Sequence, residues 1–157
     1  MYVVSDTMQV DAPIDRCFLL STSIDLFAKT LNMRVADRRT GLIEPGDRLI
    51  WHGWKFGLPQ MHETLITQYD RPNNFQDTMG RGRFERLQHD HDFVSVDDHT
   101  VLQDRICFSL PFGAPGDLVA KYVMLPYIRR ILHTRLLLLK RVAESEEWRE
   151  FLTEPLG

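Results

Sequence analysis

Cysteine is scarce. Cys17 and Cys107 are the two in 157 residues; they form no CxxC pair and cannot build a disulfide framework. One falls in an apolar helical stretch and the other in a strand-like run, so both read as buried small hydrophobes. No apolar run approaches the roughly 20 residues that span a bilayer. Met1-Tyr2-Val3-Val4-Ser5-Asp6 has neither the basic region nor the apolar core of a signal peptide. The expectation is a reduced, cytoplasmic protein with no stable membrane insertion. Positive charge is not in excess either: a net charge of −3 exerts no long-range pull on nucleic acid. A phosphate loop and a serine-nucleophile motif are missing, and Gly80-Arg81-Gly82 lacks the strand–helix context that a phosphate loop requires. Repeats, low-complexity tracts and linkers are absent, and the length fits one domain over residues 1–157.

What is present alternates in a readable way. Tyr2 to Val10 forms a first strand. Pro13 opens a short helix through Leu20, at the first turn, where its missing N–H does no harm. Ile24 to Leu31 makes a second short helix. Six strands follow, at about Met33–Arg38, Asp47–Trp54, Met61–Tyr69, Phe75–Met79, Arg86–Val96 and Val101–Leu110. Turn chemistry separates them: Glu44-Pro45-Gly46, Gly57-Leu58-Pro59, Arg71-Pro72-Asn73-Asn74, Gly80-Arg81-Gly82 and Asp97-Asp98. Asp117 then caps a long terminal helix that runs to about Phe151 on three- and four-residue apolar spacing, with Pro126 predicted to kink it. Arg129, Arg130, Arg135, Lys140 and Arg141 are assigned to its solvated outer face. The order β, two short helices, six strands and one long helix predicts an α+β fold. In it, one antiparallel sheet covers one face with the only large helix available, and strong curvature leaves a cavity between them.

The chemistry concentrates in Leu87-Gln88-His89-Asp90-His91-Asp92-Phe93. Strand periodicity puts Leu87, His89, His91 and Phe93 on one face. Leu102, Asp104, Ile106 and Phe108 share a face of the next strand. A hairpin closing at Asp97-Asp98 pairs His91 with Asp104, Phe93 with Leu102, His89 with Ile106 and Asp90 with Arg105. Three ionisable groups on an apolar face are costly when buried dry, by several kcal/mol in order of magnitude. That cost points to a cavity. His91 held by Asp104 has the form of an acid/base pair, and equally of a buried polar pair that sets strand register. The structural form predicts that His91→Ala destabilises the chain and that replacing both partners by apolar residues restores it. His-x-His with Asp104 offers three ligands at most and no second cluster, so neither a metal nor a cofactor is expected. Trp51 and Trp54 face opposite ways on an ideal strand. Trp54, Phe93, Phe108 and Tyr122 join His89, His91 and Asp104 as candidate cavity-lining residues.

These residues carry a resemblance. Ala12-Pro13-Ile14-Asp15-Arg16-Cys17-Phe18 after the first strand, Gly46-Asp47 before Ile50-Trp51, and Gly57-Leu58-Pro59 all resemble elements of the START/Bet v1-like (SRPBCC, polyketide cyclase/dehydrase-like) superfamily. So does Gly82-Arg83-Phe84 followed by Leu87-Gln88-His89-Asp90-His91-Asp92-Phe93, although Leu87 stands where that pattern has an aromatic. Asp104 with Pro111-Phe112-Gly113 matches the next strand and its exit. The resemblance covers the whole chain. It implies a helix-grip fold, a curved seven-stranded antiparallel sheet around the C-terminal helix. It also implies an internal cavity for a small hydrophobic molecule (a lipid, a polyketide-like or an aromatic compound), held by a carrier or sensor. The alternative it implies is a cyclase/aromatase-like enzyme with His91 and Asp104 as acid/base pair.

Overall fold

The computed structural model describes residues 1–152. β1 (Tyr2–Val10) leads into α1 (Ile14–Ser21) and α2 (Ile24–Leu31). β2 (Met33–Val35), β3 (Arg48–Lys55), β4 (Leu58–Asp70), β5 (Asn74–Met79), β6 (Arg86–Val96) and β7 (His99–Ser109) follow. The seven strands form one antiparallel sheet in the order β1-β7-β6-β5-β4-β3-β2, so β1 pairs with β7, the chain crosses to the opposite edge through α1 and α2, and β2 to β7 follow one another as neighbours. The curved open sheet, the two early helices and the long C-terminal helix make a helix-grip fold.

The β6–β7 register is the one predicted from charge and apolar matching. His91 lies opposite Asp104, Phe93 opposite Leu102, His89 opposite Ile106 and Asp90 opposite Arg105. The turn works because Asp97 takes a positive φ of 51°, a conformation that Asp tolerates better than most residues. β2 is shorter than expected: it ends at Val35, and Arg38 sits in a left-handed turn beyond it.

The terminal helix departs from its sequence reading. It begins at Gly113 as α3 (Gly113–Val119), not at Asp117, whose carboxylate instead accepts the Tyr2 hydroxyl at 2.8 Å. A π-helical turn over Ala120–Met124 joins α3 to α4 (Leu125–Glu144), and the Leu125 N–H reaches back five residues to the Ala120 carbonyl. Pro126 follows at once. It offers no N–H to the carbonyl four residues back, so the local widening of the helix takes the place of a simple kink. Ser145 is extended and ends α4; a separate short helix, α5 (Trp148–Leu152), completes the described chain. Gly116 is obligatory in α3, because a Cβ there would stand 1.9 Å from the Pro111 carbonyl oxygen.

The two halves of the fold are filled differently. At one end Phe18 of α1 meets the rings of Tyr69, Phe75 and Phe93 at 5.2, 5.7 and 5.4 Å. Leu136, Leu139 and Val142 of α4 close that cluster. At the other end Ala120, Ile128 and Leu132 pack with Val4, Ile106 and Phe108, and a void lies beside this second cluster.

Candidate functional site

The void is a cavity of about 880 Å³. Phe27, Leu31 and Met33 wall it on the α2 side. Phe84, Leu87, Ile106 and Leu110 do so from the sheet and its exits, and Val119, Met124, Tyr127, Ile128 and Ile131 from the helix. Phe56, Leu58 and Phe112 reach its rim and are exposed. Against this apolar wall stand few polar groups. Lys55, Gln60 and Arg83 contribute from around the β3–β4 hairpin tip, while His62, Thr64, Asp77 and His89 contribute from the sheet. Lys55 is engaged by the Leu31 carbonyl, and Arg83 donates to the Pro59 carbonyl at 3.3 Å.

Behind His89 lies a buried ionic cluster. Asp104 Oδ2 accepts from Arg135 Nη1 at 2.7 Å and from His89 Nε2 at 3.2 Å. His91 Nε2 donates to Asp77 Oδ2 at 2.9 Å, and its Nδ1 stands 3.4 Å from Asp104 Oδ1, in ion-pair range but outside hydrogen-bond geometry. The His91 ring is stacked on Phe75 at 4.0 Å and lies 3.7 Å from the His89 ring. Arg135 also reaches the Ser21 carbonyl. The cluster thus joins β5, β6, β7, α4 and the end of α1.

Electrostatics assign the protons. Burial alone would push the Asp104 carboxyl up, but the Arg135 guanidinium and then His91 outweigh it and hold the group well below the usual carboxylate range. Asp77 is lowered despite burial, chiefly by the hydrogen bond from His91. Burial opposes a charge on His91 too, yet the Asp104 carboxylate prevails and its value is raised. His89 is lowered by burial and by the neighbouring His91 charge, against the pull of Asp104. These directions favour ionised Asp77 and Asp104 beside the Arg135 guanidinium, the charged form of His91 and the neutral form of His89. Single ligand atoms of Asp77, His89 and His91 lie within 4.8 Å of one another, a spacing that would suit a cation.

The pH dependence follows from these directions. Asp77 and Asp104 have depressed values in the fold, so their stabilisation is present above the unfolded value near 4 and is lost as pH falls through the folded values. His91 is raised, so its contribution is full below about 6.5 and is lost as pH rises through the folded value. His89 acts in the opposite sense, favouring the fold above about 6.5 because the unfolded chain alone gains a proton below that. The expected result is a urea midpoint that drops steeply below about pH 4, where the unfolded carboxylates titrate. His91→Gln should remove the alkaline loss attributed to His91 while leaving an acid limb from Asp104. A midpoint unchanged between pH 5 and 3 would contradict the ionic reading of the cluster.

Of the residues singled out from sequence, His89 alone forms part of the cavity wall. His91 is fully enclosed at 0% exposure, and Asp104 is sealed behind it. Phe93 packs in the closed end with Phe18, and Phe108 packs under Tyr2 and Phe84. Trp54, 69% exposed, and Tyr122, 67% exposed, point outward and do not line the void. Parity identifies the sheet face correctly, but not how far along each strand the void extends. Two cluster members escape that reading, Asp77 and Arg135. Asp77 has the parity of Phe75 on β5, a usable signal. Arg135, which its charge assigns to the solvated face, is in fact 4% exposed. Ile128, Leu132, Arg135, Leu139 and Val142 are all buried at alternating spacings of four and three, so Arg135 occupies a core position of the helix stripe.

No protein-family model matches the chain, and no curated protein matches it in sequence. Solved structures do match in shape. A protein from Thermus thermophilus superposes with TM-score 0.71 at 16% identity, over 89% of this chain and 95% of that one. A START superfamily protein from Mycobacterium smegmatis superposes with TM-score 0.60 at 17% identity, over 87% of this chain and 98% of that one. The Aha1 dimer from Colwellia psychrerythraea gives 0.65 at 12% identity, over 92% and 97%. The chain has the START/Bet v1-like fold. Among the described residues, no helix is long and apolar enough to cross a membrane.

Proposed function

We propose that the protein is a carrier or sensor that binds one small, largely apolar molecule in the cavity between the sheet and the C-terminal helix. The observation that carries this reading is a void of about 880 Å³ walled mainly by aliphatic and aromatic side chains, with a few convergent polar groups. This combination is typical of small-molecule sites. A void of that size and lining is expensive unless filled, since the wall atoms forgo dispersion contacts on one side. The exposed rim residues Phe56, Leu58 and Phe112 give an apolar entry path. The fold shared with a START superfamily protein is compatible with the reading.

The enzymatic alternative with His91 as acid/base loses support from the geometry. His91 is enclosed, and both its nitrogens face carboxylates of the protein. A proton-transfer group must come within hydrogen-bond reach of its substrate or of one intervening water.

The test is titration with the neutral dye N-phenyl-1-naphthylamine. Fluorescence should saturate at one dye per chain. Ile106→Trp should abolish the signal, because Ile106 projects from β7 into the void, and near-UV circular dichroism should show the variant folded. Should that variant unfold, Ile131→Trp fills the cavity from the helix side instead. Dye signal that survives a folded, filled cavity would overturn the proposal.

A further inference from the structure

We infer that the cavity selects a neutral ligand carrying a hydroxyl donor, presented to the acceptors His89 Nδ1 and Asp77 Oδ1 at its polar wall. The inference rests on the ligand-binding reading and narrows it to a ligand class.

The tautomer of His89 follows from its neighbours. Asp104 Oδ2 faces Arg135 Nη1 at 2.7 Å and His89 Nε2 at 3.2 Å. A carboxylate can only accept, so His89 Nε2 carries the hydrogen. In a neutral imidazole the other nitrogen, Nδ1, is then a lone-pair acceptor. Its nearest ion-pair neighbour is Asp77 Oδ2 at 3.9 Å, too far for a hydrogen bond. Asp77 Oδ2 is occupied by His91, and among the described residues no side chain donates to Asp77 Oδ1. Both residues are more than nine-tenths buried. The sealed polar atoms without a partner are Ser21 Oγ and His91 Nδ1. His89 Nδ1 and Asp77 Oδ1 are not among them, and their residues form the cavity wall, so these two acceptors open onto the void.

Two unpartnered acceptors in a mainly apolar wall call for a donor on the ligand. The sign of the ligand's charge follows as well. Asp77 and Asp104 are balanced by Arg135 and the His91 imidazolium, so a cationic ligand would add an unmatched charge inside the protein. At the His89–Asp77 wall an anion would face two acceptors, while the cationic groups of the lining, Lys55 and Arg83, are bonded to the Leu31 and Pro59 carbonyls. A neutral hydroxyl on an aromatic or polycyclic scaffold gives its one hydrogen to His89 Nδ1, beside Asp77 Oδ1, while the scaffold meets the apolar wall.

The experiment uses the wild-type protein and four naphthalene probes, each measured by displacement of N-phenyl-1-naphthylamine at pH 7. 2-Naphthol should bind at least about tenfold more tightly than its donor-free isostere 2-methylnaphthalene, the ratio that one hydrogen bond of about 1.4 kcal/mol supplies. 2-Naphthoate and 2-naphthylmethylammonium should both bind more weakly than 2-naphthol. His89→Phe should cancel the preference for naphthol while retaining 2-methylnaphthalene. Equal binding of naphthol and methylnaphthalene overturns the inference while leaving the binding function intact. So does tighter binding of either charged probe, or a preference that persists in His89→Phe. If the dye and all four probes fail to bind, the binding function itself falls, and the inference with it.

Discussion

Arg135→Met is expected to destabilise the protein by about 3–5 kcal/mol, the range for removing one partner of a buried ion pair. Among the described residues, the Arg135 guanidinium is the one lysine or arginine group bonded to Asp104, and it lies 2.7 Å from the carboxylate at a sealed site. Removing it leaves Asp104 with His89 and His91, and the Asp104 carboxyl should then rise toward the ordinary range. The acid limb of the pH–stability curve should shift upward accordingly. Arg135→Met combined with Asp104→Leu should be less destabilised than Arg135→Met alone, because no unpaired ion remains. The pairwise reading of His91 with Asp104 makes a different prediction, that replacing those two together restores stability. The structure corrects it: that double change strands Arg135 and leaves Asp77 without its His91 donor, so it should remain destabilised. Urea titration of the three variants separates the cases. A loss below about 1 kcal/mol for Arg135→Met, the level of an exposed pair, would mean that water reaches the cluster.

Phe18→Ala should cost a comparable amount, about 3–5 kcal/mol, the usual range for truncating a buried phenylalanine. Phe18 has no exposed surface and its ring meets three others at 5.2–5.7 Å. Its functional consequence should be small. This cluster occupies the closed end of the grip, and none of its four rings lines the cavity. The variant should unfold at a much lower urea concentration yet bind the naphthylamine dye with unchanged stoichiometry in the absence of denaturant. Loss of binding in a sample still folded by circular dichroism would show that the closed end controls the cavity, against the division drawn from the packing.

Strand periodicity, turn chemistry and charge matching are local, and they are legible. The β6–β7 hairpin can be written down residue by residue because a slip of one position would turn His89, His91 and Phe93 to the outer face and set Asp90 away from Arg105. The element order, the two short helices after β1 and a terminal helical region follow from apolar spacing together with the turn residues between strands. Asp77 and Arg135 each carry a signal of position, one in its parity with Phe75 and one in the four-three spacing of the α4 stripe. Position does not reveal partner, however. Only the closure of α4 over the sheet brings a guanidinium from residue 135 to a carboxylate at residue 104.

The location of the cavity is decided at the tertiary level. Alternation fixes which face of a strand a side chain occupies, but not whether that face meets a helix or open space at a given depth. His91 and Phe93 stand where α1 and α4 close down on the sheet, and they are sealed. His89, two residues earlier on the same face, lies on the cavity wall with Val119, Met124 and Ile128. A difference of two residues, about 7 Å along a strand, separates a buried structural ion from a group that a ligand can reach.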